Sequence, residues 1–139
     1  MVIVNDRDGV RMSLRYGEVM KNMWQSSGGK TDRELSMEAA LRELEEETSL
    51  IAEPEDLKFL INNSNYNCNV YTLKVHLNTE LDLMESNKNR EWEKFSFEAY
   101  KRMAREDRIT PTHTTCIKPI LHRIRIKPQS SKRKATKQA

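Results

Sequence analysis

The segment from residue 36 to residue 50 constrains the chain most, because it combines an apolar helical stripe with a row of carboxylates. Apolar residues recur there at spacings of three and four: Met37, Ala40, Leu41 and Leu44. This period predicts an amphipathic helix from about Ser36 to Thr48. Glu43, Glu46 and Glu47 stand at i, i+3 and i+4, so they share a second face of the helix. Like charges repel at that spacing, and carboxylate oxygens are the ligands that Mg2+ and Mn2+ prefer. The face is therefore either a metal site or a solvated acidic surface.

A longer pattern that contains this helix resembles the Nudix box. The family pattern is G-x5-E-x7-R-E-U-x-E-E-x-G-U, where U is a bulky aliphatic residue. The residues that match it are Gly28, Glu34, Arg42, Glu43, Leu44, Glu46, Glu47 and Leu50. The resemblance covers residues 28–50, and it implies a loop–helix–loop that binds a divalent metal against a pyrophosphate.

The segment departs from the family pattern at its late glycine and in its loop. Ser49 stands in place of that Gly, at a turn where the chain favours a residue that tolerates positive φ. Most members carry G-G-K with the second Gly as the box Gly. Here either Gly28 takes that role, or the loop starts at Gly29 and is one residue shorter. Arg33 also replaces a Gly that is common in the family, so we expect an altered loop before an intact helix.

The resemblance implies a role for each charged residue of the box. Glu43, Glu46 and Glu47 are the implied metal ligands, and either Glu43 or a Glu from a distant loop is the implied general base. Arg42 is expected to orient the glutamates through charge-assisted hydrogen bonds. Glu34 is expected to brace the loop before the helix.

Other candidate site residues lie in the glycine loop and beyond the box. Gly28 and Gly29 lack side chains, so their carbonyls can face a metal ion or a phosphate. The resemblance also implies an outlying catalytic or metal-binding acid, for which Glu91 and Glu85 compete, with a solvated surface Glu as the alternative for each. Four aromatic residues could stack on a purine base, although aromatic side chains at these spacings are more often core: Tyr66, Tyr71, Trp92 and Phe95.

The resemblance to the Nudix family implies two alternative functions. The first is an Mg2+- or Mn2+-dependent hydrolase that cleaves the diphosphate of a nucleoside diphosphate linked to another group. The second is a Nudix-like module that binds a nucleotide or RNA and has lost turnover. The full set of glutamates favours the hydrolase, whereas Ser49, the loop and a short first strand favour the binding module. The three histidines, His76, His113 and His122, have no matching acid or nucleophile and are expected to be structural or exposed to solvent.

The length of 139 residues predicts one domain, over residues 1–126, followed by a basic tail at 127–139. The tail, with its Lys132–Lys134 cluster, predicts at most weak nonspecific attraction to RNA, or a nuclear address. Cys68 and Cys116 lack the spacing of a zinc site or a disulfide framework. No apolar run is long enough for a membrane span or a signal peptide. We therefore expect an intracellular protein, cytoplasmic or nuclear, that acts on a small nucleotide derivative.

The order of predicted elements indicates an α+β fold. Alternating apolar residues predict strands near 2–4, 10–16, 23–24, 57–61, 71–77 and 92–97. Beside the box helix, helices are predicted at 98–105, capped by Ser96, and from about Ile117 to Ile124, after a break at Thr110–Thr112. This order and the resemblance both imply an α/β/α Nudix sandwich with a mixed sheet between helices.

Overall fold

The computed structural model describes residues 1–15, 22–27, 37–63, 68–82, 89–118 and 121. Within them, six strands and three α-helices follow one another along the chain. The strands are β1 (Val2–Asn5), β2 (Gly9–Arg15), β3 (Trp24–Gln25), β4 (Leu57–Asn63), β5 (Cys68–Lys74) and β6 (Asn89–Ser96). The helices are α1 (Met37–Thr48), α2 (Phe97–Arg105) and α3 (Pro111–Ile117), and a 3-10 turn at Pro54–Asp56 precedes β4.

The six strands form one mixed sheet. β1 pairs in parallel with β5 and antiparallel with β2, and β4 pairs antiparallel with the far side of β5. β6 runs antiparallel along the length of β2, and β3 pairs with the end of β2. Parallel strands require a crossover connection, and α1 lies in the long connection between β1 and β5.

Helices cover both faces of the sheet, and each face has its own apolar core. On one face, α1 packs on strands β1, β4 and β5 through Ala40, Leu44, Val2, Val4, Leu57, Tyr71 and Leu73. On the other face, α2 and α3 pack on β1 and β2 through Tyr100, Met103, Cys116, Ile117, Ile3, Val10 and Met12. The predicted α/β/α sandwich is confirmed.

A tight turn at Asp6–Gly9 joins β1 to β2, and the Asp6 N–H donates to the Gly9 carbonyl at 2.9 Å. One carboxylate oxygen of Asp6 accepts the backbone N–H groups of Asp8 at 2.7 Å and Gly9 at 3.0 Å. Gly9 then brings β2 close to β6, because a Cβ at this position would lie 2.0 Å from the carbonyl oxygen of Phe95. Only glycine permits this approach without movement of the backbone.

The predicted cap of α2 is confirmed. The Ser96 hydroxyl accepts the backbone N–H of Ala99 at 3.1 Å, which satisfies one of the free donors of the first turn. The strand predicted to reach Phe97 ends at Ser96, and Phe97 is the first residue of the helix.

The prediction of a chain break at Thr110–Thr112 is wrong, because α3 begins there. Pro111 occupies the first turn, where its missing N–H costs no hydrogen bond. The Thr110 carbonyl accepts the backbone N–H of Thr114 at 2.9 Å, so the turn continues as a helix. Ile117, predicted to start the last helix, is the final residue of α3, and Leu121 packs against the same core.

Several predictions fall outside the described residues. They include Ile120 and Ile124 of the predicted last helix and the division between a domain at 1–126 and a tail at 127–139. None of the helices in the described part of the chain is long and apolar enough to cross a membrane.

Candidate active site

The helix α1 separates its apolar and acidic residues as the sequence predicts. Ala40 and Leu44 are buried against the sheet. Glu43 and Glu47 are half-buried and Glu46 is exposed. Because these positions are three and four residues apart, their Cβ atoms lie about 5–6 Å from their neighbours on one face. The three carboxylates therefore line the helix surface beside the sheet contact.

The end of α1 turns through a left-handed residue at the position where the family pattern has glycine. Ser49 has φ 68°, and its N–H donates to the Glu45 carbonyl at 2.9 Å. The Thr48 hydroxyl donates to the Leu44 carbonyl at 2.6 Å and accepts the N–H of Leu50 at 3.1 Å. The expectation that the chain adopts positive φ at Ser49 is thus confirmed, and the backbone after Glu46 and Glu47 follows the path that the pattern's glycine favours.

Arg42 lies one turn before Glu46 and forms an ion pair with it. Its Nε is 3.8 Å from the Glu46 carboxylate, and both side chains are about half exposed, at 50% and 58%. An exposed pair at this distance contributes little to stability. This contact is longer than a hydrogen bond, so the predicted role of Arg42 in orienting the glutamates stays a prediction.

The chemistry of this helix face fits a divalent cation, because three carboxylates supply hard, anionic oxygens on adjacent positions. Across the described residues, however, no group of three or more His, Cys, Asp or Glu side chains is arranged to hold a metal ion. Gly28, Gly29 and Glu34 lie outside the described residues. Of the predicted metal-binding residues, the structure therefore describes only the three glutamates of α1.

Of the two candidate outlying acids, Glu91 and Glu85, the structure describes only Glu91. Glu91 is exposed on β6, and β6 pairs with β2. The helix α1 packs instead over β1, β4 and β5. Glu85 lies outside the described residues. A catalytic or metal-binding role for either acid stays a prediction.

His113 is structural, in agreement with the sequence interpretation. It is buried, and its Nε2 lies 2.7 Å from the Tyr100 hydroxyl in the core between α2 and α3. Burial lowers the pKa of His113 to about 3 and raises the pKa of the Tyr100 phenol. His113 is therefore neutral near pH 7. His76 is exposed, as predicted, and His122 lies outside the described residues.

The candidate aromatic residues mainly build the core. Tyr71 is buried beneath α1 and packs edge-on against Phe59, with ring centroids 5.8 Å apart. Phe95 packs edge-on against Trp24 at 4.7 Å. Trp92 is half-buried on β6, and Tyr66 lies outside the described residues.

A buried charge cluster at the start of β2 was missed by the sequence interpretation. Asp6 and Arg11 are both buried, and an Arg11 Nη lies 3.0 Å from the Asp6 carboxylate. Lys94 of β6 reaches the same oxygen at 3.0 Å. The available signal was Arg11 itself, a charged residue between the apolar Val10 and Met12 of a strand that pairs on both sides.

The structure combines a mixed sheet between helices with a helix that carries three candidate metal-binding carboxylates and lies in a crossover connection. The NUDIX domain family model matches residues 1–114. The chain belongs to the Nudix family, and its class is that of hydrolases acting on pyrophosphate bonds. No curated protein sequence matches it significantly.

Solved structures with the same fold include three from bacteria. The chain is 18% identical to DR0079 of Deinococcus radiodurans, over 88% of this chain and 78% of that one, with a TM-score of 0.64. It is 17% identical to a MutT Nudix hydrolase of Burkholderia pseudomallei, over 86% and 96%, with a TM-score of 0.59. It is 19% identical to the bifunctional NMN adenylyltransferase/ADP-ribose pyrophosphatase of Francisella tularensis, complexed with AMP and a manganese ion, over 88% and 40%, with a TM-score of 0.61. At these identities the likeness establishes the fold.

Proposed function

We propose that the protein is a divalent-metal-dependent pyrophosphohydrolase that cleaves the diphosphate of a nucleoside diphosphate linked to another group. The observation that carries this proposal is the left-handed backbone of Ser49, at φ 68°. Ser49 is the one departure from the pattern within the helix and its end. Since Ser49 keeps the backbone conformation that favours glycine, the replacement leaves Glu46 and Glu47 on a regularly ended helix.

In this proposal Glu43, Glu46 and Glu47 hold Mg2+ or Mn2+. When bound, the cation neutralises the diphosphate oxygens and makes a water more acidic. Water then attacks one phosphorus of the diphosphate, the phosphoanhydride P–O bond breaks, and two phosphate-bearing products leave.

The other charged residues have supporting roles in the same proposal. Glu43, which is half-buried, accepts the proton of the attacking water, or an outlying Glu such as Glu91 or Glu85 does so. Arg42 restrains Glu46 through their 3.8 Å ion pair. In the same proposal, the carbonyls of Gly28 and Gly29 would face the metal or the phosphates, and Glu34 would brace that loop.

The substrate class rests on the diphosphate chemistry and on the Nudix family. The Francisella protein of the same fold is an ADP-ribose pyrophosphatase and holds AMP and manganese. We infer that this chain acts on a nucleotide derivative of similar chemistry, in the cytoplasm or nucleus. ADP-ribose is therefore a suitable first probe.

A binding module without turnover is the second candidate, and one observation favours it. The first strand, β1, is short, with four residues at Val2–Asn5, and a short first strand is one of the features that favour a module without turnover. A module of this kind binds the nucleotide and does not cleave it.

Turnover of a substrate panel with Mg2+ separates the two functions. The panel contains ADP-ribose, sugar nucleotides, dinucleotide polyphosphates, oxidised triphosphates and capped RNA. We expect Glu47→Gln and Glu43→Gln to lower turnover at least about a hundredfold with little change of melting temperature, because neither side chain belongs to the buried stripe. Glu45→Gln is the matched control, since Glu45 is an exposed position of the same helix outside the family pattern. Nucleotide binding without turnover in the parent protein supports the binding module, and near-parental activity of Glu47→Gln refutes the metal site.

A further inference from the structure

We propose that Arg11 is a positioning residue for the carboxylate end of α1. It acts through the segment 75–82, which connects the Asp6–Arg11 charge cluster to the last turn of the helix. This inference rests on the proposed function for its effect on metal binding, and on the described contacts for the positioning itself.

The first step is a fixed anchor at Asp6. Its buried carboxylate accepts hydrogen bonds from the backbone amides of Asp8 and Gly9 and from the Lys94 Nζ, at 2.7 to 3.0 Å. It also forms an ion pair with an Arg11 Nη at 3.0 Å. Burial alone would raise the pKa of Asp6. The hydrogen bonds and charges around it outweigh burial and lower the pKa. Asp6 therefore stays ionised and holds one side of the Arg11 guanidinium.

The second step is the reach of Arg11 from β2 to the chain after β5. Its other Nη donates to the carbonyls of His76 at 3.3 Å and Leu77 at 3.1 Å. The same segment is tied to β1, because the Val75 N–H donates to the Asn5 carbonyl at 2.8 Å. A planar guanidinium can contact a carboxylate with one edge and carbonyl groups with another. A lysine ammonium is a compact charge that cannot span both sites in the same way.

The third step runs from this segment to α1. The Asp82 N–H donates to the Thr48 carbonyl at 3.2 Å, which satisfies one of the free carbonyls at the helix end. Val75 and Leu81 pack against the apolar cluster that contains Leu44. Thr48 directly follows Glu47, so the segment fixes the turn that carries two of the three glutamates.

These contacts form one continuous path from Asp6 to Glu47. Groups that orient metal ligands without touching the metal commonly change metal affinity about 10- to 100-fold when they are removed. Arg11 is buried on β2, and its described contacts are to Asp6, His76 and Leu77. Its loss should therefore weaken Mg2+ binding while the chemistry at saturating Mg2+ is retained.

The first test is Arg11→Lys, which keeps a positive charge beside Asp6 and removes the fork that reaches His76 and Leu77. We expect the Mg2+ concentration for half-maximal turnover of ADP-ribose to rise about tenfold, with kcat at saturating Mg2+ reduced less than threefold. Arg7→Lys is the control, because Arg7 is exposed in the neighbouring turn. A lower melting temperature with an unchanged Mg2+ dependence would show that Arg11 is structural only and would overturn the proposal.

The second test cuts the path at its other end and leaves the buried charges intact. Asp82→Pro removes the N–H that binds the Thr48 carbonyl, and Asp82→Ala keeps it. We expect Asp82→Pro to reproduce the Mg2+ effect of Arg11→Lys and Asp82→Ala not to do so. Equal behaviour of the two Asp82 variants would contradict the path.

Amide hydrogen exchange gives a readout that does not depend on turnover. The Ser49 N–H, bonded to the Glu45 carbonyl, should exchange at least about threefold faster in Arg11→Lys and Asp82→Pro than in the parent and the controls. Unchanged exchange at Ser49 would overturn the positioning role. A parent protein without turnover contradicts the proposed function alone, because Ser49 exchange and the Mg2+-induced shift of melting temperature still decide this inference.

Discussion

Replacing Ser49 with glycine tests the backbone at the end of the candidate metal-binding helix. Ser49 has φ 68°, where a Cβ crowds the following carbonyl, and relief of that contact favours glycine by about 1–2 kcal/mol. Glycine also increases the entropy of the unfolded chain, which opposes the gain by about 0.4–1 kcal/mol. The net expectation is a stabilisation of about 1 kcal/mol, or a rise of about 3–5 °C in melting temperature for a chain of this length.

The assay is thermal unfolding of the parent, Ser49→Gly and Ser49→Ala under identical conditions. Ser49→Ala removes the hydroxyl and keeps the Cβ, so it isolates any contribution of the side-chain oxygen. We expect Ser49→Gly to melt above the parent and Ser49→Ala to melt at or below it. If Ser49→Gly melts below the parent, the left-handed conformation is not adopted, and transferring the family's geometry to this end of the helix is wrong.

Three further predictions address the rest of the molecule. Gly9→Ala should destabilise the fold by at least about 2 kcal/mol in denaturant unfolding, because its Cβ would lie 2.0 Å from the Phe95 carbonyl oxygen; a neutral result would show that β2 and β6 separate easily. Stability should fall as the pH drops below 6.5, because unfolded His113 takes up a proton there while folded His113 stays neutral down to about pH 3. His113→Asn should weaken this dependence and His76→Asn should not. Removing residues 127–139 should leave melting temperature and turnover of small nucleotides unchanged, whereas a large loss of stability would show that this segment packs on the domain.

The sequence predicted those helices and strands that are specified by residues close together in the chain. The stripe of α1 is periodic over its whole length, and the Ser96 cap precedes its helix directly, so both were found. The Pro111–Ile117 helix was missed because its residues, PTHTTCI, are poor helix formers. It is stabilised by packing, since His113, Cys116 and Ile117 are buried.

The Asp6–Arg11 cluster was missed for a different reason. Two of its contacts join residues far apart in the chain: Arg11 and His76 are separated by 65 positions, and Asp6 and Lys94 by 88. No local period reports such contacts. The glutamates of α1, by contrast, were found because their spacing and the family pattern lie in one short segment. The sequence does not identify the substrate, because the Nudix box concerns only the diphosphate part of the substrate and not the group linked to it.

The two faces of α1 also bear on how this chain can change over evolutionary time. The residues that hold the helix to the sheet are Ala40 and Leu44, whereas the acidic face consists of other positions. Substitutions among the glutamates therefore carry little penalty in folding. A variant of this chain that has lost turnover through changes on the acidic face would therefore be expected to remain folded.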